Sequence, residues 1–69
     1  NDKKYNAIII EFKVFDSCDE STLEDTAKSA LRQIEERNYD AELILLGIPK
    51  ERIRHYGFAF EGKKVLIIE

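Results

Sequence analysis

Glu11 and Lys13 are the two residues of this chain whose types and spacing point most directly to chemistry. They interrupt the apolar run of residues 7–15, which is typical of a strand buried on both faces. Because strand side chains alternate, Glu11 and Lys13 share one face. The carboxylate can ligate Mg²⁺ together with the Phe12 carbonyl oxygen, and the ammonium can orient or deprotonate a water or stabilise charge on a phosphate. The pair fits the chemistry of a metal-dependent nuclease.

The competing interpretation of Glu11 and Lys13 is a cross-strand salt bridge at a sheet edge, where charges also discourage edge-to-edge pairing. Glu-x-Lys is a short and common pattern, so its spacing alone favours the salt bridge. Both interpretations therefore stay open at the level of spacing.

Other candidate residues have more ordinary explanations. His55 has two arginines as near neighbours and could contact a phosphate, but such a cluster is more typical of a solvated loop. Three alternating aromatic residues could stack on nucleic-acid bases, although this pattern is more typical of a core. They are Tyr56, Phe58 and Phe60.

The elements that must position Glu11 and Lys13 follow from periodicity and capping signals. The first strand is predicted at residues 6–15. A helix then begins at a capping box that starts at Ser21 or, one residue later, at Thr22, and it ends at about Asn38. Its apolar face has helical spacing and consists of Leu23, Ala27, Ala30, Leu31 and Ile34.

A second, shorter helix is predicted after the first. Asp40 is placed to cap it, it runs through Leu46, and Gly47 is placed to end it in the left-handed conformation. Pro49 then begins one further turn of helix.

The remaining chain predicts two strands joined by a hairpin. Period-two alternation begins at Arg54, residues 61–64 form a tight turn, and residues 65–68 form the last strand. A helical crossover makes the first two strands parallel, and the hairpin makes the last one antiparallel. We expect an α/β fold with a three-stranded mixed sheet in the order 1-2-3 and two helices on one face. The other face then requires cover from an upstream segment or a partner chain, and a homodimer would supply it.

Composition limits the class of protein. Sixty-nine residues allow one small domain, residues 1–69. The net charge of −3 argues against a non-specific nucleic-acid binder but not against a nuclease whose acidic site is neutralised by cations. A single cysteine excludes an internal disulfide and predicts a cytoplasmic location, and no segment has the length of a membrane span. Because the chain lacks an initial Met and stops directly after the last strand, we expect it to be a piece of a longer protein; the alternative is a processed or tag-cleaved small protein.

Four stretches, in order, resemble a known family. They are residues 8–14, residues 30–34 followed by Tyr39, residues 47–49 and residues 56–65. Together they are similar to the PD-(D/E)XK nuclease superfamily, and most of all to the nuclease-like domain at the C-terminus of bacterial AAA-ATPase-like proteins. The resemblance implies a restriction-endonuclease-like fold with a central mixed sheet, cleavage of DNA with Mg²⁺ or Mn²⁺, and an upstream AAA-ATPase-like domain.

The resemblance also implies roles for individual residues. Glu11 and the Phe12 carbonyl would hold the metal, Lys13 would be the catalytic lysine, and Gln33 would position the water. Some branches have a Tyr four positions after this Gln. Tyr39 follows Gln33 by six positions and is not carried over as a site residue.

The chain departs from the family pattern at its beginning. The motif requires an Asp on the strand before Glu-x-Lys, and that strand would end before Asn1. Asp2 falls where the connecting turn should lie and is a poor substitute. The chain is therefore expected to hold half of a site and to be inactive or nearly so on its own. The alternative function is a non-catalytic interaction or regulatory module of an ATPase-like protein.

Overall fold

The computed structural model describes residues 6–69, and within them three strands and two α-helices form a layered α/β unit. The elements are β1 (Ala7–Val14), α1 (Leu23–Arg37), α2 (Tyr39–Leu45), a 3-10 turn (Lys50–Arg52), β2 (Ile53–Glu61) and β3 (Lys64–Ile68). The sheet order is β1-β2-β3, with β1 and β2 parallel and β3 antiparallel to β2. This confirms the predicted fold, which fits a restriction-endonuclease-like architecture.

Helix α1 is defined at both ends by capping interactions. The capping box is the later of the two alternatives: the Thr22 hydroxyl accepts from the Asp25 amide at 3.1 Å, and the Asp25 carboxylate accepts from the Thr22 amide at 3.3 Å. At the other end Asn38 adopts the left-handed conformation, with φ 52°. Its amide donates to the carbonyl groups of Ile34 and Glu35, so the helix ends where the sequence predicted.

The core lies between α1 and the middle strand. Ala27, Ala30, Ile34 and Ala59 are fully buried, and Thr26 is the buried polar residue of this layer. A Cβ on Gly57 would run into the carbonyl oxygen of Ala27, so glycine is needed for this close approach of α1 to β2. The same approach sets how close α1 lies to the neighbouring strand β1.

The second helix corrects one prediction. It begins at Tyr39 rather than after Asp40, because Asn38 both ends α1 and serves as the N-cap of α2. The Asp40 carboxylate instead lies 2.7 Å from His55 Nε2 on β2, and this contact holds α2 to the helix-covered face of the sheet. Gly47 has φ +98°, the left-handed conformation predicted for the end of this helix.

The opposite face of the sheet is open in the described residues. Ile8 and Phe12 are each 61% exposed and Val14 is 73% exposed. Three aromatic rings pack against one another on this face, with centroid distances of 5.2, 5.9 and 6.4 Å; they belong to Phe12, Phe58 and Phe60. Tyr56, Phe58 and Phe60 are half-buried on this face, whereas the fully buried core of residues 6–69 lies on the Gly57 side.

None of the described helices combines the length and the apolar character that a membrane crossing requires.

Candidate functional site

Glu11 and Lys13 lie on the face of β1 that α1 covers. Burial alternates along β1, and both residues are half-buried whereas Phe12 between them is exposed on the other face. The Glu11 side chain is 19% exposed. The period-two prediction for these two charges is therefore correct, and both project toward the helix.

Each charge has a partner on α1. Lys13 Nζ donates to Ser29 Oγ at 3.1 Å, and Arg37 Nη1 donates to Glu11 Oε1 at 3.5 Å. Lys13 follows Glu11 along the strand whereas Ser29 precedes Arg37 along the helix, so β1 and α1 run in opposite directions. We call this strand–helix boundary the seam.

Gln33 belongs to the same seam. It lies four residues after Ser29 and four before Arg37, and residues four apart stack along one side of a helix with a rise of about 6 Å. Gln33 therefore stands between the helix partners of Lys13 and Glu11. The fold brings Glu11 and Lys13 to one seam, and helical spacing puts Gln33 on the same side of α1.

The Phe12 carbonyl points away from the rest of the sheet. The Phe15 amide donates to the Phe60 carbonyl oxygen at 2.8 Å, which directs the backbone groups of Phe15 toward β2. Backbone groups of successive strand residues point to opposite edges, so the Phe12 carbonyl points to the other edge of β1. Within residues 6–69 no strand pairs along that edge, and the oxygen is available as a ligand.

Arg37 and Tyr39 add a feature that the sequence patterns did not predict. Arg37 Nη1 also lies 3.3 Å from the Tyr39 hydroxyl oxygen, and the pKa of Arg37 is raised first by Tyr39 and then by the negative charge of Glu11. Tyr39, whose spacing from Gln33 departs from the family pattern, therefore reaches the site through Arg37. Ser29 and Arg37 lie four residues before and after Gln33, and this helical spacing is the sequence feature that could have identified them as site residues.

A surface groove gives access to Glu11 from the free edge of β1. Its volume is about 370 Å³, and it is lined by Ala7, Ile8, Ile9, Ile10, Glu11, Tyr39, Glu42 and Leu43. Tyr39 and Glu11 both contribute to its wall, so the groove brings solvent to the Glu11 end of the seam.

The described residues fit part of the ligand set of a divalent cation. Glu11 and the Phe12 carbonyl offer oxygen atoms, the ligand type that Mg²⁺ prefers. Residues 6–69 contain no group of three or more His, Cys, Asp or Glu side chains that could hold a metal ion. Asp2 lies outside the described residues. The salt-bridge interpretation is also partly realised, although the partner of Glu11 comes from α1 rather than from another strand.

His55 and its neighbouring arginines do not form a phosphate cluster. His55 points to the helix face and contacts Asp40, whereas Arg54 Nη1 contacts the Glu69 carboxylate at 2.9 Å. Arg52 Nη1 donates to the Asn6 side chain at 3.3 Å. The loop interpretation of His55 is thus wrong, because β2 already begins at Ile53.

Comparison with known proteins gives one match. The family model described as PD-(D/E)XK nuclease superfamily matches residues 1–69, which include the whole seam. No curated protein and no solved structure matches the chain.

Proposed function

Because the chain belongs to the PD-(D/E)XK nuclease superfamily, we propose that it takes part in hydrolysis of DNA phosphodiester bonds with Mg²⁺ or Mn²⁺. The observation that carries this proposal is the seam itself. Glu11 and Lys13 project side by side from β1 toward α1, each with its own helix partner, and the Phe12 carbonyl faces the free edge.

The proposed roles follow from the chemistry of each group. Nucleases of this superfamily generally use divalent metals, and Glu11 and the Phe12 carbonyl would supply two oxygen ligands. A bound cation would supply an activated water and polarise the phosphate. Lys13, held by Ser29, stabilises negative charge at the scissile phosphate, and Gln33 orients the water.

The ligand set requires a further carboxylate. One carboxylate and one carbonyl hold Mg²⁺ weakly, and the family motif assigns the missing ligand to an Asp on the preceding strand. We propose that this strand pairs along the free edge of β1, where the Phe12 carbonyl points. The chain would then be the C-terminal part of a nuclease-like domain, downstream of an AAA-ATPase-like domain and in the cytoplasm, in keeping with its single cysteine.

The test is plasmid nicking by a longer protein in which the Asp-bearing strand precedes this chain. Glu11→Gln keeps the size of the side chain and removes its charge, and we expect a loss of activity of about 10²–10³-fold, as for other groups that stabilise developing charge. Glu51→Gln makes the same change at an exposed position of the 3-10 turn and should leave nicking unchanged. Wild-type nicking by the Glu11→Gln protein would refute the proposal.

A non-catalytic interaction module is the second candidate, and the open sheet face is the observation that favours it. Phe12, Val14 and their neighbours present an apolar surface in the described residues, and monomers rarely leave such surfaces uncovered. In this candidate the face binds a second copy of the chain or another part of an ATPase-like protein. Sedimentation that shows a folded monomer at high concentration would exclude the homodimer, and nicking that depends on Glu11 would exclude a purely non-catalytic role.

A further inference from the structure

We propose that the outer edge of β3 is a dimerisation edge, along which a second copy of the chain pairs its own β3 in the antiparallel direction. The two three-stranded sheets would join into one continuous sheet across a twofold axis. This edge is a different surface from the open sheet face. The inference also holds whether or not the chain takes part in DNA hydrolysis.

The backbone of β3 directs part of its hydrogen-bonding groups away from β2. The Phe60 carbonyl oxygen accepts from the Phe15 amide, so the backbone groups of Phe60 point toward β1. Val65 lies opposite Phe60, and when the groups of one residue of an antiparallel pair point outward, those of the other do too. The amide and carbonyl groups of Val65, and by alternation those of Ile67, therefore point to the outer edge. Within residues 6–69 no strand pairs there.

The composition of β3 favours pairing along this edge. The strand contains no proline, and its one charged side chain, Lys64, stands at the first position. The four residues that follow are apolar, and three of them are β-branched, which suits a strand. They are Val65, Leu66, Ile67 and Ile68. An edge without proline or charge in its interior is a template for pairing with another chain.

The outer edge of β3 is complementary to a second copy of itself. Opposed residues of an antiparallel pair have side chains on the same face, so a twofold axis has to pass between two copies of one residue. An axis at Leu66 places Val65 opposite Ile67 of the second copy, and the outward-pointing groups of both residues then exchange hydrogen bonds. The same register brings the exposed Lys63 of one copy near the exposed Glu69 of the other, which is a contact between opposite charges.

Pairing at β3 is compatible with the proposed nuclease site. In the order β1-β2-β3, the outer edge of β3 lies on the far side of β2 from β1. The free edge of β1 therefore stays available for the Asp-bearing strand. A sheet of six strands is also within the common range of about four to six strands.

The test is amide hydrogen exchange of the 69-residue chain, measured by NMR at ~50 µM and at ~1 mM. We expect exchange of the Val65 and Ile67 amides to slow by about tenfold or more at the higher concentration, because dimerisation pairs donors that face water in the monomer. The Leu66 amide points to β2 and should slow less. Sedimentation should show a rise toward twice the 8.0 kDa mass of one chain.

Variants separate the edge from the open face. Ile67→Pro removes an outward-pointing donor without breaking the ladder between β2 and β3, so it should abolish the dimer. The matched control Ile67→Thr keeps the amide and the β-branched shape, and its dimer affinity should stay within about fivefold of the wild type. Phe12→Ser removes a ring from the open face two strands away and should leave the dimer intact.

Three results would overturn the inference. The first is a chain that stays monomeric at ~1 mM. The second is a folded Ile67→Pro chain that dimerises like the wild type. The third is a dimer that Phe12→Ser abolishes while exchange at Val65 and Ile67 does not change with concentration, because the contact then lies on the open face. If Ile67→Pro does not fold, the exchange of the wild-type chain decides alone.

Discussion

Gly57→Ala tests the contact that sets the distance between α1 and the sheet. The new Cβ would meet the Ala27 carbonyl oxygen and would lie 3.2 Å from both Ala30 Cβ and Leu31 Cγ. The carbonyl belongs to the helix backbone and cannot rotate away, so α1 has to move outward. Overpacking of this kind costs about 1–3 kcal/mol.

That cost is large for so small a domain. A core of this size supplies only about 3–5 kcal/mol of net stability, so Gly57→Ala should remove a large part of it. A loss of about 2 kcal/mol corresponds to a fall in Tm of roughly 8–16 °C for a domain of this length. Urea and thermal unfolding followed by circular dichroism measure both quantities.

The sign of the Gly57→Ala effect is informative because backbone preference predicts the opposite result. Gly57 has no positive φ, and glycine inside a strand is about 0.5–1 kcal/mol less favourable than alanine. Without the close approach of α1, the substitution would therefore stabilise the fold. Stability equal to or above that of the wild type would refute the packing argument.

Gly62→Ala is the control for the Gly57 experiment. Gly62 has φ +59°, and a Cβ added there would have no heavy atom within 4 Å, so its substitution costs only the ~1 kcal/mol of left-handed backbone. Outward movement of α1 should also lengthen the 3.1 Å Lys13–Ser29 contact, which is lost beyond about 3.5 Å. NMR shifts at these two residues should change in Gly57→Ala and stay constant in Gly62→Ala.

Three further predictions concern contacts outside the seam. Asp40→Ala should destabilise the fold by about 1–2 kcal/mol in urea unfolding, because the half-buried His55 loses its partner, and an unchanged midpoint would contradict this role. Thr22→Ala should lower the free energy of unfolding by about 1 kcal/mol, because it removes the side-chain cap of α1. If the helical circular dichroism signal falls at low urea while the unfolding midpoint stays the same, the substitution only frays the end of the helix. The Glu69 carboxyl has a pKa below its ordinary value because Arg54 donates a hydrogen bond to it. The contact therefore stabilises the fold fully above the unfolded pKa of about 4.3, and this stabilisation is lost as the pH falls through the lower folded pKa. NMR titration should show the Glu69 pKa rise in Arg54→Gln, and no rise would contradict the assigned cause.

Local patterns predicted the parts of this fold that depend on neighbours in sequence. Alternation placed Glu11 and Lys13 on one face, and the two capping boxes located the start of α1 to within one residue. The glycine at position 47 marked the end of α2 because its left-handed conformation is a local property. Such features are visible in sequence because their physical causes act within a few residues.

Contacts between elements could not be predicted in the same way. To predict the contact between Lys13 and Ser29, one must know the direction of α1 along β1 and its distance from the sheet. The close packing of α1 on Gly57 limits that distance. Asp40 shows the same limit: its type and position fit an N-cap, but a tertiary contact with His55 uses the side chain instead. A capping preference of about 1 kcal/mol is small enough for one such contact to override it.

The net charge of the seam depends on Arg37 as well as on Glu11 and Lys13, and it affects how strongly the seam could bind a cation. One carboxylate, Glu11, lies among two cationic groups, Lys13 and Arg37, so the contacts of the seam carry a formal excess of positive charge. Addition of a divalent cation increases that excess, whereas a substrate phosphate or a second carboxylate reduces it. Metal affinity should therefore rise when a phosphate ligand or the proposed Asp is present. The proposed upstream carboxylate would therefore supply the negative charge that a cation at Glu11 requires.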